Sequence, residues 1–488
     1  MSFKVLLIKP NICVRKGFDL QNKMCPPVGL AYLAGSLLKA HFEVSILDMV
    51  AASTSSWSFT DTHVCYGLTD AELIDCLRQC SPDLVGVGGF TSQYARIKQI
   101  VAAVKSYAPD IPIVLGGINA TAIPRKVLRE TQADYIIQGE AESAIVELAE
   151  ALRAGNHDTI TSIDGIAFRQ NGDIIVRPKL IFPQDIDAIP WPARQILDHE
   201  KYLLDGVAMP VITSRGCPGR CTFCSIHLLA GNKWRSRDPV KVADEIEDLT
   251  DRWGYQTVSV FDDACNVQPD RLIEICRQVV GRNLNIRLTF PGGLIVKYIT
   301  KDVLYWMKRA GAISLALPLE HADAHMRNAI IKKNLELEHV YRVLDWCREL
   351  RLLAIVNFVI GMPDETRQSL EKIVDFVRQN AYRIDSVAVY VATPYPGTAF
   401  YDQCVRDGLL IDYETTDFLD FDNYTAHVNT DKISHTEIAQ YKCRIEQAFT
   451  DARGPDFPVQ YIRKAIRKPN AETMEFLENV YFPQTVCD

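Results

Sequence analysis

The stretch Ser214-Arg215-Gly216-Cys217-Pro218-Gly219-Arg220-Cys221-Thr222-Phe223-Cys224 presents three cysteines in a CxxxCxxC spacing. A closed structural zinc site takes four protein ligands, and ferredoxin-type clusters take four cysteines each. A 4Fe–4S cluster held by three thiolates instead leaves one iron open to a ligand from outside the chain. The competing reading is zinc bound by these cysteines and a histidine such as His227. Ahead of the triplet, Met209-Pro210-Val211-Ile212-Thr213 reads as a short buried strand. Gly216, Pro218 and Gly219 then break regular structure, which puts the thiols on a tight loop at the strand's end.

Downstream of that loop, apolar runs alternate with helical periodicity. The runs predict strands at 210–214, 257–261, 286–290, 313–317, 354–360 and 386–391. Helices are expected at 240–252, 269–281, 301–310, 336–350, 366–379 and 398–407. Six βα units predict a partial, TIM-like (βα)6 barrel over 210–400, with chemistry at the carboxyl ends of its strands.

Residues 1–153 have the same alternation. Strands are expected at 4–8, 43–47, 84–88, 111–115 and 135–137, with helices at 29–40, 70–80, 94–106, 123–130 and 142–153. This predicts a doubly wound, Rossmann- or flavodoxin-like parallel sheet whose ligand lies outside the strands' carboxyl ends. Small and polar residues collect there: Gly88-Gly89, Thr91-Ser92-Gln93-Tyr94, Gly116-Gly117 and Gly139-Glu140. Between the blocks, 154–209 reads as a linker with a β-hairpin at 165–176, where Asn171-Gly172 signals a type I′ turn. Residues 401–488 are expected to form a mostly helical extension.

The cysteine spacing, with Phe223 before the third cysteine, resembles the radical S-adenosylmethionine (SAM) superfamily. So do Gly361-Met362-Pro363-Asp364-Glu365-Thr366 and Pro394-Tyr395-Pro396-Gly397-Thr398. That resemblance implies that Cys217, Cys221 and Cys224 hold a 4Fe–4S cluster and that SAM chelates its open iron. Phe223, Asp262, Asp263, Glu320 and Pro394 would border SAM. Helix capping is the competing role for Asp263, Asp364 and Glu365. Trp234-Arg235-Ser236-Arg237 resembles a basic stretch of the cobalamin-dependent subgroup, against the alternative that both arginines are solvated.

The first block resembles the cobalamin-binding domain found upstream of many radical SAM enzymes. The matching pieces are Pro26-Pro27-Val28-Gly29-Leu30-Ala31-Tyr32-Leu33-Ala34, Val87-Gly88-Gly89-Phe90-Thr91-Ser92, Val114-Leu115-Gly116-Gly117 and Ile137-Gln138-Gly139-Glu140. It implies cobalamin contacts at Thr91, Ser92, Gln93, Tyr94, Gly116, Gly117, Gly139 and Glu140. One departure is that Asp48-Met49-Val50-Ala51-Ala52-Ser53 lacks the histidine of the Asp-x-His-x-x-Gly loop, so no histidine is expected beneath the cobalt.

Composition narrows the partners. A net charge of −8 over 488 residues argues against a general nucleic-acid surface. No apolar run is long enough for a membrane span, and the N-terminus does not read as a signal peptide. The 14 cysteines are therefore expected to be reduced thiols and cluster ligands in a cytoplasmic enzyme.

Together the resemblances imply a cobalamin-dependent radical SAM enzyme, most simply a methyltransferase. A 5′-deoxyadenosyl radical would activate an unactivated carbon, or phosphorus, centre of a small-molecule or natural-product substrate. Methylcobalamin would supply the methyl group, and a flavodoxin- or ferredoxin-type donor the electron. The alternatives are a non-methylating cyclisation, rearrangement or oxidation on the same scaffold, a methylthiotransferase-like enzyme, and a non-enzymatic cobalamin or metal carrier.

Overall fold

The structure, a computed structural model, describes residues 3–16, 24–53, 55–204, 206–411, 418–421 and 423–454. Contacts divide the chain into two compact units. One comprises Met1–Val207, Ser225–Ser236 and Tyr413–Phe421; the other comprises Ala208–Cys224, Arg237–Asp412 and Asp422–Asp488.

The first unit is built on strands β1 (Lys4–Lys9), β2 (Glu43–Asp48), β3 (Leu84–Gly88), β4 (Ile113–Gly116), β5 (Tyr135–Ile137), β6 (Ile166–Gln170) and β7 (Asp173–Val176). They lie side by side in the order β7-β6-β5-β4-β3-β1-β2. The first five strands pair in parallel, and β6 and β7 add antiparallel. Val5, Leu6, Leu7 and Ile8 are all buried, as a central parallel strand covered on both faces requires. The hairpin turn sits at Asn171 and Gly172, with φ of 53° and 87°, so the dipeptide does what type I′ chemistry dictates. The hairpin is no free-standing linker element, however, because it continues the sheet. Helix Asp70–Cys80 starts at a capping box in which Thr69 and Glu72 satisfy each other's backbone N–H.

A small antiparallel ribbon of Ile12–Arg15, Ser56–Ser58 and His63–Tyr66 was not anticipated. Within it Cys13 and Cys65 face each other in register and are joined as a disulfide, which corrects the expectation that every cysteine is a free thiol or cluster ligand. Asp420 accepts hydrogen bonds from Arg15 Nε at 2.7 Å and pairs with His63 Nε2 at 3.0 Å. These bonds hold its segment in the first unit, where Phe418 packs on Tyr94 and Phe421. Phe418 and Phe421 thus fill a core here, although the sequence placed them in the C-terminal extension.

In the second unit β8 (Met209–Val211), β9 (Thr257–Val260) and β10 (Arg287–Thr289) form one parallel sheet. Strands β11 (Ser314–Glu320), β12 (Leu353–Ile360) and β13 (Ser386–Val391) form another. A parallel bridge from Leu288 to Ala312 joins the two into an open six-stranded arc. Helices Pro239–Asp251, Pro269–Gly281, Lys301–Arg309, Leu337–Leu350 and Arg367–Asn380 alternate with the strands, as a partial barrel demands. Helix His435–Arg453 packs beside Arg367–Asn380 and β13. Tyr461, Phe476, Tyr481 and Phe482 lie outside the described residues. Among the described residues no helix is long and apolar enough to cross a membrane.

Candidate functional site

The loop carrying the three cysteines leaves β8 and is clamped from three other strand ends. After β9, the buried Asp262 carboxylate accepts hydrogen bonds from Thr213 N, Thr213 Oγ1 and Ser214 Oγ, each at 2.6 Å. Asp263 accepts from Gly216 N at 2.7 Å, immediately before Cys217. Beyond β11, the carbonyls of Ile330 and Ile331 accept from Thr222 Oγ1 and Thr222 N at 3.0 and 3.1 Å. Beyond β13, Phe400 N donates to Thr222 O at 3.0 Å. Phe223 packs against the cluster of Met326, Ile331, Val359, Met362 and Phe400. A loop too short and glycine-rich to order itself is thereby fixed over the carboxyl ends of the barrel strands.

Cys217, Cys221 and Cys224 are half-buried and take part in no disulfide. Burial pushes the Cys221 thiol up to about 12, with Lys333 acting the other way. Coordination to iron removes such a proton outright. Among the described residues no three His, Cys, Asp or Glu side chains gather around a point that would hold a single metal ion. Tetrahedral zinc needs all its donors at one centre, whereas a cluster takes one thiolate per iron and spreads them. Three thiols on one clamped loop, with Cys217 and Cys224 near enough to act on Cys221, suit one thiolate per iron.

Glu320 ends β11 at a register shift and adopts φ of 69°, in the left-handed region that a non-glycine residue rarely occupies. Its buried carboxylate accepts from Lys333 Nζ at 2.7 Å. The next residue, His321, is fully buried, and its ring roles are fixed by its neighbours. Asp323 N donates to Nδ1 at 2.9 Å, so the proton sits on Nε2, which donates to Glu365 Oε1 at 2.8 Å. Glu365 Oε2 accepts from Gly361 N. Glu365 therefore bolts β11's end to β12's end, while helix Arg367–Asn380 is capped by Thr366 with Ser369. The capping role weighed for Glu365 is not the one observed. Asp364 is exposed to Lys432, 3.2 Å away. Pro394 is buried in the turn after β13, in a loop closed by Thr398 Oγ1 donating to Tyr395 O.

The basic stretch is not solvated either. Arg235 is buried in a two-pronged pair with Glu140, at 2.7 and 2.8 Å. Arg237 is buried against Glu245 and donates to Ile212 O at 3.0 Å. Both arginines act as internal struts, and sequence patterning alone gives no sign of their partners.

In the first unit, the predicted ligand edge separates into bare backbone and bracing side chains. Gln93 is buried, receives Phe90 N at 2.9 Å and donates to Asn11 O at 3.0 Å. Tyr94 donates to Glu130 at 2.9 Å, and Thr91 is buried at the start of the same turn. Ser92 is partly exposed beside them. These bonds, like Glu140's, shape the loops. The glycines shape the surface. Gly117 has φ of 92°, and a Cβ there would lie 2.4 Å from Gly89 O, so two strand-end loops touch backbone to backbone. A Cβ on Gly116 would meet only Ile137 O, at 3.7 Å, so this glycine has room that Gly117 lacks. Gly139 has φ of 67° and packs against Lys179 and Leu229. Phe90 is 71% exposed at the same edge. A flat macrocycle fits such an edge, with bare backbone and an exposed ring. The loop after β2 carries Val50 where a cobalt-ligating histidine would stand. Val50 is buried, and its N–H is held by Asp48 at 3.0 Å.

This edge yields a contrast between adjacent glycines. Gly117→Ala is expected to destabilise the fold by roughly 2 kcal/mol or more, from the left-handed backbone and the clash. Gly116→Ala is expected to keep stability within about 0.5 kcal/mol but to lower retention of cobalamin. Denaturant titration and the absorbance of bound cobalamin read the two effects separately.

Profiles of three families match the chain: the B12 binding domain over residues 22–149, the Radical SAM N-terminal region over 92–207 and the Radical SAM superfamily over 211–377. An uncharacterised methyltransferase of Pyrococcus horikoshii, PH0819, is 29% identical over 388 residues, 79% of this chain and 80% of its own. Cytidylyl-2-hydroxyethylphosphonate methyltransferase of Streptomyces wedmorensis is 25% identical, over 83% of this chain and 82% of its own. Anaerobic magnesium-protoporphyrin IX monomethyl ester cyclase of Cereibacter sphaeroides is 26% identical, over 81% of this chain and 63% of its own. Among solved structures, the radical SAM methyltransferase TsrM of Kitasatospora setae superposes with a TM-score of 0.66 at 20% identity, covering 83% of this chain and 77% of that one. At that identity the likeness shows a shared fold. With the B12 binding domain and the radical SAM core matched in tandem on one chain, the protein belongs to the cobalamin-dependent radical SAM enzymes.

Proposed function

We propose that the enzyme is a methyltransferase that places a methyl group on an unactivated carbon, or phosphorus, of a small-molecule substrate. The observation that carries this reading is the pairing, on one chain, of a B12 binding domain with a clamped three-cysteine loop at barrel strand ends. When bound, the 4Fe–4S cluster and SAM supply the radical that activates the substrate, and cobalamin supplies the methyl group.

The chain's own residues hold and orient. Cys217, Cys221 and Cys224 are assigned to the cluster. Asp262, Asp263 and Thr222 fix the loop that carries them, so the two aspartates act by positioning. Phe223, Glu320 and Pro394 border the SAM site in this assignment. In the N-terminal unit Gly116, Gly117, Gly139, Thr91 and Ser92 form the cobalamin face. Gln93, Tyr94 and Glu140 hold that face in shape through their own hydrogen bonds. In domain terms, residues 1–153 together with the hairpin at 165–176 carry cobalamin, and 210–400 perform the radical chemistry. The electron comes from a flavodoxin- or ferredoxin-type donor in the cytoplasm.

The cyclase among the relatives keeps a non-methylating radical reaction as a second reading. Anaerobic incubation of reconstituted enzyme with reductant, cobalamin and SAM separates the two by product. 5′-Deoxyadenosine together with S-adenosylhomocysteine is expected for the methyltransferase. 5′-Deoxyadenosine alone favours the second reading, and neither product would overturn both.

A further inference from the structure

Segment 321–335 was read from sequence only as the gap between a strand and a helix, yet it holds the most constrained backbone around the cysteine loop. Met326–Ile330 forms a single π-helical turn, a form enriched at functional sites. Lys332 and Asn334 both adopt left-handed backbone, with φ of 62° and 53°, and they flank Lys333 on either side. Glu320, facing Lys333, is left-handed as well. Three non-glycine residues in that region cost energy that surrounding structure must offset. Here the fully buried Arg327 does so, donating to His321 O at 2.9 Å, Ala322 O at 3.0 Å and Leu335 O at 2.7 Å. Lys333 N in turn donates to Arg327 O at 2.9 Å.

The product of this folding is a buried ammonium. Lys333 Nζ reaches Glu320 Oε1 at 2.7 Å, and both side chains are nearly excluded from solvent. Lys333 lies two residues past Ile331, whose carbonyl accepts from Thr222 N next to Cys221, which sets this part of the segment against the cysteine loop. The segment that carries Lys333 also supplies the Ile330 and Ile331 carbonyls that grip Thr222, between Cys221 and Cys224. One strained hairpin of chain thus fixes the cysteine loop mechanically and sets a positive charge beside it.

We infer that Lys333 is a positioning residue of the cluster site: its fixed charge favours the reduced, more negative cluster, and its bond to Glu320 holds that carboxylate at the SAM side. Glu320 partly neutralises Lys333, so the two side chains bias the cluster in opposite senses. The inference rests on the assignment of the cluster to Cys217, Cys221 and Cys224.

The test is the midpoint potential of the reconstituted cluster, titrated by EPR without SAM or cobalamin. Lys333→Met is expected to move the potential to more negative values, Lys333→Arg to leave it near wild type, and Glu320→Gln to move it the opposite way. Unchanged potentials in both Lys333→Met and Glu320→Gln, or shifts of the same sign, would overturn the inference. If Lys333→Met fails to retain iron, Lys333→Arg and Glu320→Gln still decide: retained iron with a raised potential in Glu320→Gln supports it, and an unchanged or lowered potential refutes it. Absence of any cluster signal in the wild-type protein contradicts the cysteine assignment itself, a different outcome from flat potentials in a cluster-bearing series.

Discussion

Cys221→Ala is expected to abolish the 4Fe–4S absorbance of the reconstituted protein and, with it, all SAM cleavage, while the chain stays folded. The loop's position does not depend on the thiol. It is set by Asp262, Asp263 and the Thr222 bonds to 330, 331 and 400, none of which the substitution touches. Burial disfavours the thiolate at this position and pushes the Cys221 thiol up to about 12, so the charge that a cluster ligand carries is met only by the iron it binds. On the proposed assignment, removing this thiol leaves two ligands for a cluster that needs three. The control is Cys265→Ala. Cys265 is fully buried two residues past Asp263, and its loss is expected to cost about 1 kcal/mol of packing with cluster content unchanged. Iron and sulfide content, visible absorbance and circular dichroism distinguish the two variants.

Glu365→Ala is expected to be the most destabilising single substitution at the barrel's strand ends. It strands two buried donors at once, His321 Nε2–H and Gly361 N–H. Each unpaired donor costs roughly 1–3 kcal/mol, so a loss of about 3–5 kcal/mol follows. In a unit of this size that lowers the melting temperature by roughly 10 °C. Glu365→Gln should fall between wild type and alanine, because an amide offers one oxygen where two donors converge. His321 cannot adapt by switching tautomer, since its Nδ1 already accepts from Asp323 N. The damage also reaches chemistry, because His321 follows Glu320 directly and the left-handed turn there would relax. Weaker SAM binding is therefore expected alongside the lower melting temperature.

Much of this was legible in the sequence because the signals were local. Parallel strands buried on both faces write continuous apolar runs, so β3, β5 and β13 end where the pattern says they should. Cysteine spacing and the Asn171-Gly172 turn are likewise local. What stayed hidden depends on partners distant in the chain. Asp420 meets Arg15 and His63 across some 400 residues, and no periodicity announces that. Arg235 looked like a surface charge because a basic residue reveals nothing of a carboxylate at 140. The Cys13–Cys65 pair sits on a ribbon whose strands are too short to pattern. Lys333 escaped notice for a related reason: a Lys-Lys-Asn run reads as a solvated turn, whereas left-handed backbone on both sides turns the middle residue inward.

The central claim is that the three cysteines leave one iron of a 4Fe–4S cluster for SAM. The most direct measurement is the EPR spectrum of the anaerobically reduced, reconstituted protein, recorded before and after SAM is added. The account predicts a 4Fe–4S signal that changes when SAM binds and is absent from the Cys221→Ala variant. Purified protein carrying zinc at this loop, or a cluster signal indifferent to SAM, would contradict it.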